Sequence, residues 1–423
     1  MVVLPAFGCV LPGNDGETHT GNDTTGGPVS DTTTVSTTQS GGDPSTSSSE
    51  GADGTVGTST SGDDDDTTTG AHPLTNCIDA TVALGNPYYA GPQEGWNPAG
   101  QGVHDDPPIP NLHLAASDDG VYIDTQREVW FSDGRTVRRV AGNDGLNEYR
   151  PNGACDDIRL LAVEGIAALP DGRVVIADAM GNGIIELTDP TGECTAATIA
   201  GNGIDTQISD FEDVAYPGDV DGPGVTAMFY SPRRPVADAQ GNIYVNDFGN
   251  AKIKMIADDA ERTVTTLAEY PHGQAPFGMT VMNGTVYVVG ANGTADFIWA
   301  IDTNAPGEID VVYEGLGLFD EVQNAQALLF AAANDGVDLL LASSKGYVFR
   351  VSTDGLPLAT VAGIGQVVDF PEDLDLSMPV PVAELPLSSY GSGRGDLLRR
   401  GNDLLFTGNA DGSGWHVWDI RCE

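Results

Sequence analysis

Two stretches of this chain copy one another, and that repetition restricts the fold more than any other feature. Gly172 to Thr188 reads GRVVIADAMGNGIIELT, and Gly241 to Ile256 reads GNIYVNDFGNAKIKMI. Each has a turn, an apolar run ending at Asp178 or Asp247, a Gly-Asn pair and a second apolar run. Weaker copies are QREVWFSDGRTVRRVAG from Gln126, NGTVYVVGANGTADFIWAI from Asn283, DGVDLLLASSKGYVFRV from Asp335 and GNDLLFTGNADGSGWHVWDI from Gly401. The turn glycines Gly172, Gly241, Gly284, Gly336 and Gly401 lie 69, 43, 52 and 65 residues apart. Units of about 40 to 45 residues with insertions suit a four-stranded propeller blade, so six copies predict an all-β, six-bladed β-propeller.

The strand composition agrees. Runs such as RVVIA, VYVVG and DLLLAS are apolar at consecutive positions. A sheet with one wet face would alternate, whereas a blade held between two others buries both faces. Pro-Asp-Gly, Gln-Gly-Asn and Asn-Asp-Gly supply the hairpin turns. Blade two is expected to comprise short strands at 165–169, 174–177, 184–187 and 195–200.

Copies also end alike, in RRVAGND at Arg138, ATIAGNG at Ala197 and ATVAGIG at Ala359. The tract GDVDGPGVTAMFYSPRRPVADAQGNIYVNDFGN joins blades two and three. These residues together resemble NHL-repeat β-propellers, with their Ala-Gly, Gly-Asp-Gly-rich excursion, Ser-Pro, Gly-Asn turn and Val-x-Asp-x-Gly-Asn. The resemblance runs over roughly residues 112–423 and is strongest in blades two and three. Blades four, five and six have Gly290, Ser343 and Gly408 near the position of the family Asp.

The last copy lacks an outer strand, which NCIDATVALG, at 76–85, is placed to supply. Closing the ring in this way brings Cys77 beside Cys422 and leaves Cys155 to pair with Cys194. A disulfide closing so long a loop contributes about 5 kcal/mol in the chain-entropy model. Cysteine arithmetic alone is less specific. Setting Cys9 aside leaves four cysteines, which in an exported protein means two disulfides and three possible pairings.

The N-terminal part has a different character. The first basic residue of the chain is Arg127, and residues 11–75 are mostly Thr, Ser, Gly and Asp. With so few large apolar side chains to offset ordering entropy, residues 10–76 are expected to form a disordered tether. About 65 residues of flexible coil span on the order of 45 Å. The opening MVVLPAFGCV resembles the end of a bacterial lipoprotein signal, so residues 1–9 are expected to be a truncated signal and Cys9 a lipidation site. The apolar run is shorter than in a full signal peptide, and no positive charge precedes it. Residues 77–423 form the expected propeller domain.

The chain carries 62 acidic and 18 basic residues, a net charge of -44. Such a surface repels nucleic acid and anionic lipid, so membrane attachment is expected only through an N-terminal lipid. No apolar run approaches the roughly 20 residues of a membrane span.

Propeller ligands bind around the central channel, on the face carrying the loops between blades and the turns after each second strand. Tyr230, Arg233, Arg234, Asp178 and Asp247 are therefore the candidate binding residues. Asp133, Asn182, Asn250 and Phe277 are expected on the same face. A repeat carboxylate can instead serve the fold by accepting backbone N–H groups in its tight turn. The adjacent Arg233 and Arg234 suit either local carboxylates or an anionic group on a ligand.

Two acidic loops, one with Asp219 and Asp221 and one with Asp369, Glu372, Asp373 and Asp375, are possible calcium sites, though neither completes a calcium-loop pattern. No other cofactor is expected. The six histidines do not recur at one repeat position, which argues against a three-His metal site. No Gly-x-Ser-x-Gly nucleophile elbow occurs. The expectation is an exported, lipid-anchored, monomeric binding or scaffold module at the bacterial cell envelope, with a protein, peptide or glycan partner. The alternative is a metal-dependent hydrolase or lyase of the lactonase-like propeller type.

Overall fold

The computed structural model describes residues 74, 76–84, 113–125, 127–134, 136–142, 149–201, 216–318, 328–365, 378–385, 387, 395–409 and 415–422. The expected signal, Cys9 included, and the expected tether up to residue 73 lie outside them, as does the acidic loop at 369–375. The end of the tether is corrected: Leu74 is buried in the core of blades five and six, donating its N–H to Asp335 at 3.2 Å and accepting from Arg350 at 2.6 Å, so the folded domain begins before Cys77.

The described strands form six antiparallel sheets. Blade one is β2 (Leu114–Ser117), β3 (Gly120–Asp124), β4 (Glu128–Ser132) and β5 (Val137–Gly142). Blade two is β7 (Val163–Ala168), β8 (Val174–Asp178), β9 (Gly183–Thr188) and β10 (Thr195–Gly201), with β6 (Gly153–Ala154) along its outer edge. Blade three is β11 (Pro232–Ala237), β12 (Ile243–Asp247), β13 (Lys252–Ile256) and β14 (Val264–Glu269). Blade four runs β15 (Ala275–Met282), β16 (Thr285–Ala291), β17 (Asp296–Asp302) and β18 (Asp310–Gly315). Blade five runs β19 (Leu329–Asn334), β20 (Leu339–Ser343), β21 (Tyr347–Val351) and β22 (Pro357–Ala362).

Blade six is assembled from both ends of the domain. Its β24 (Leu397–Arg400), β25 (Asp403–Asn409) and β26 (Trp415–Cys422) are followed outward by β1 (Cys77–Leu84) and then β23 (Val380–Pro381). The N-terminal strand thus supplies the missing outer strand, in register Cys77 to Cys422. Disulfides join Cys77 to Cys422 and Cys155 to Cys194, the pairing expected from ring closure.

Burial follows the blade geometry. Every residue of β8, β12 and β20 is buried, whereas four of the six in the outer strand β22 are exposed. The apolar core is a ring of layers between blades. Val175, Ala177 and Ile184 of blade two pack on Ile243, Val245 and Ile256 of blade three. At about 1.5 to 3 kcal/mol for each large aliphatic side chain removed from water, one such seam outweighs any single polar contact described below. The seam between blades six and one has five buried residues, Leu114, Val121, Ile123, Leu405 and Val417, among those described.

One expectation is corrected here. The first repeat copy was aligned from Gln126, which made Asp133 the blade-one equivalent of Asp178. The structure aligns Gly120 to Ser132 with that motif instead, so the repeat carboxylate of blade one is Asp124, at the end of β3. Asp133 sits in the β4–β5 turn, accepting the Thr136 N–H, at the opposite end of the blade.

Candidate functional site

The six innermost strands surround an axial cavity of about 300 Å³. Its lining mixes small residues, among them Ala115, Ala167, Gly278 and Ala332, with larger apolar ones such as Ile166, Met279 and Leu398. Crowding explains the small ones: a Cβ on Gly165 would lie 2.6 Å from Pro235 Cδ of the next blade, and its φ of 148° also favours glycine. His113, Arg234 and Asp396 close the end where the inner strands begin, and Asn334 and Arg399 the end where they finish.

The repeat carboxylates lie behind this face. Asp178 is fully buried and accepts the N–H groups of Leu161 at 2.8 Å, Ala162 at 2.9 Å and Gly181 at 3.0 Å. It therefore ties the turn after β8 to the segment entering β7. Burial pushes its carboxyl above the usual range, against the pull of those N–H groups. Asp247 is also buried, accepting the Tyr230 N–H at 2.7 Å and the Asn250 Nδ2–H at 2.8 Å. It also meets Lys254 Nζ at 3.2 Å. The same ammonium reaches Asp219 at 2.9 Å, Asp221 at 3.4 Å and the Met228 carbonyl at 3.1 Å. The first acidic loop is thus arranged around a lysine of the chain itself.

Asp124 has a further partner. It accepts the His113 N–H at 2.7 Å, and its other oxygen is hydrogen-bonded to His113 Nδ1, also at 2.7 Å. His113 is 2% exposed. Burial, with a smaller contribution from Arg234, lowers its pKa to about 3, so the imidazole is neutral. Burial pushes the Asp124 carboxyl well up, opposed by the His113 N–H, Arg234 and the Gly165 N–H. Nδ1 is thus committed to Asp124, which fixes the ring where it lines the cavity.

Arg234 comes from blade three and reaches blade six, opposite it in the ring. It donates to the Gly395 carbonyl at 3.1 Å and stands 3.6 Å from Asp396. Its φ of 49° is strained for a side chain of this size, and it sits in an irregularity of the β11–β12 pairing. Asp396 accepts the N–H groups of Leu114 and Leu397, each at 2.9 Å, so it bridges blades six and one. Burial raises its carboxyl, against Arg234 and His113.

The expected binding residues are thus divided. Arg234 lines the cavity, whereas Asp178 and Asp247 lie buried behind it. Arg233 covers the Phe248 ring at 4.2 Å, and Tyr230, 48% exposed, packs over Gly249. Asn182 and Asn250 accept from Ser231 and donate to Gly218, holding loops in place. Phe277 packs into the apolar cluster of blades five and six.

His113 and Asp396 were not among the expected site residues. His113 immediately precedes LAAS, the inner strand of blade one, and aligning GVYID with VVIAD would have pointed to it. Nothing in the sequence marks Asp396.

A divalent metal, which the lactonase-like alternative requires, does not fit this site. Among the described residues no three His, Cys, Asp or Glu side chains are grouped to hold one. Asp124 is hydrogen-bonded to His113, and the positive charge of Arg234 beside Asp396 disfavours a cation there.

No protein-family model matches the sequence, and comparison with curated proteins gives no significant match. The solved structures that resemble it are propellers. An auxiliary nutrient binding protein from Bacteroides thetaiotaomicron is 13% identical with a TM-score of 0.52, over 82% of this chain and 77% of that one. A gluconolactonase from Xanthomonas campestris is 14% identical with a TM-score of 0.46, over 75% and 88%. A virginiamycin B lyase from Staphylococcus aureus is 13% identical with a TM-score of 0.40, over 70% and 77%. At such identities the likeness extends to the fold alone: this is a six-bladed β-propeller.

Proposed function

We propose that the protein is an exported binding module, with NHL-like blades, whose ligand enters the channel mouth over His113, Arg234 and Asp396. The observation that carries this reading is a cavity on which a guanidinium, a carboxyl and an imidazole held by Asp124 converge from three blades. The two disulfides fit an oxidising compartment. No helix among the described residues is long and apolar enough to cross a membrane. In this reading Cys9 carries the lipid, residues 10–73 form the tether, and the propeller works as a monomer at the bacterial envelope. Its partner is an envelope or extracellular protein, peptide or glycan, one group of which enters the channel. The metal-dependent hydrolase or lyase is the weaker reading, because the described residues lack its ligand set.

The test is calorimetric binding of envelope-derived glycans and peptides to the full chain, with Tyr230→Ala, Arg233→Ala and Arg234→Gln compared. Affinity unchanged in all three would move the ligand off this face. Incorporation of labelled fatty acid in wild type, lost in Cys9→Ser, is the result expected for the anchor.

A further inference from the structure

We infer that the group recognised at the channel mouth is a neutral saccharide unit, bound through neighbouring hydroxyls; this rests on the binding reading above.

Charge balance comes first. Arg234 and Asp396 face one another at 3.6 Å, both largely shielded from water. An anionic ligand would have to draw Arg234 away and leave a buried carboxylate uncompensated. A cationic ligand would do the reverse to Arg234. Breaking a buried pair from one side is costly, and a neutral ligand breaks neither. The net charge of -44 further disfavours an anion on approach.

Hydrogen-bond chemistry comes second. A guanidinium only donates and a carboxylate only accepts, whereas a hydroxyl does both at once. A donor and an acceptor fixed side by side therefore match two adjacent hydroxyls, one oxygen facing Arg234 and one O–H facing Asp396. The His113 ring, 2% exposed and held at Nδ1 by Asp124, stands beside them in the cavity lining. The strained backbone at Arg234 is what carries its side chain across the channel to this place.

Shape comes third. A cavity of about 300 Å³, lined by small and apolar residues below its polar mouth, has room for one sugar ring but for few bulky groups. On the same face, the half-exposed Tyr230 ring packs over Gly249, a surface on which the C–H face of a next unit can lie.

The experiment is ligand-observed saturation-transfer NMR on the full chain. The probes are glucose, galactose, mannose and N-acetylglucosamine, their disaccharides, glucuronate, galacturonate, and the amino acids alanine and glutamate. At least one neutral sugar is expected to give a signal, with uronates at least tenfold weaker. Arg234→Gln and Asp396→Asn should each weaken the neutral sugar at least tenfold. Using both keeps the test sound if one variant fails to fold. A disaccharide that binds several-fold tighter, with the gain lost in Tyr230→Ala, identifies the end of a glycan chain. Equal affinities identify a free sugar, and either result supports the inference. If a uronate or an amino acid binds in an Arg234-dependent way and no neutral sugar does, the saccharide assignment is overturned while the channel remains a binding site. If no probe of any class binds, the binding reading itself fails.

Discussion

Blades one and three carry the same aspartate at the end of the second strand and use it differently. In blade three Asp247 faces Lys254, and the result is a closed electrostatic knot with Asp219 and Asp221. In blade one Asp124 faces His113, and the result is an oriented imidazole at the cavity. Blade two is the simplest case, since the described partners of Asp178 are backbone N–H groups. The repeat position supplies a buried carboxyl whose first task is to hold the entry to the inner strand. What else it does depends on the side chain that the blade sets against it.

The largest test of this contrast is Lys254→Met. Removing the only fully buried lysine among the described residues leaves Asp247 uncompensated in the interior. Urea denaturation should show a loss of about 3–5 kcal/mol. A loss under about 1 kcal/mol would mean that the knot is not what separates blade three from blade two. Asp178→Ala should cost about 3 kcal/mol, because three backbone N–H groups lose their acceptor. Cavity ligand binding by the refolded variant should persist, since Asp178 does not line the channel.

A third test is the pH dependence of His113→Asn. Folding lowers the His113 pKa from 6.5 to about 3, so between those values the unfolded chain takes the proton and the folded chain does not. The stability linked to this group is complete above pH 6.5 and is lost as the pH falls toward 3. Asp124, raised in the fold, works in the opposite sense and weakens the fold as pH rises past its unfolded value. The stability gap between wild type and variant should therefore narrow by about 1–2 kcal/mol between pH 7 and pH 5. A constant gap would show that the imidazole is not held neutral. The smallest effect is expected at Tyr230→Ala, which should change stability by no more than about 0.5 kcal/mol, because the ring is half exposed.

Much of the fold was legible in the sequence because burial on both faces writes itself as consecutive apolar residues. The strands of blade two follow from that pattern, and the N-terminal contribution to blade six from the outer strand missing in the last copy. The site was less legible for the same reason. Inner strands such as LAAS and GIAA carry small residues with no period, so the polar groups beside them, His113 and Asp396, have no motif to mark them. The alignment of blade one slipped because QREVWFSDG also offers an apolar run, Asp and Gly in the expected order. The Asp219 and Asp221 loop suggested calcium because its carboxylates are adjacent in sequence. Lys252 and Lys254, which neutralise them, lie some thirty residues away and meet them only in the folded blade.

The bond between Cys77 and Cys422 turns the 345-residue separation between its ends into a covalent circle. A protease that cuts once in any exposed loop inside that circle opens it without dividing it. The product is a permuted chain whose two halves stay joined, with each blade still packed between its neighbours. One nick should thus leave a single species on a non-reducing gel and two under reduction, and the propeller should survive a kind of wear that separates the fragments of an uncrosslinked ring.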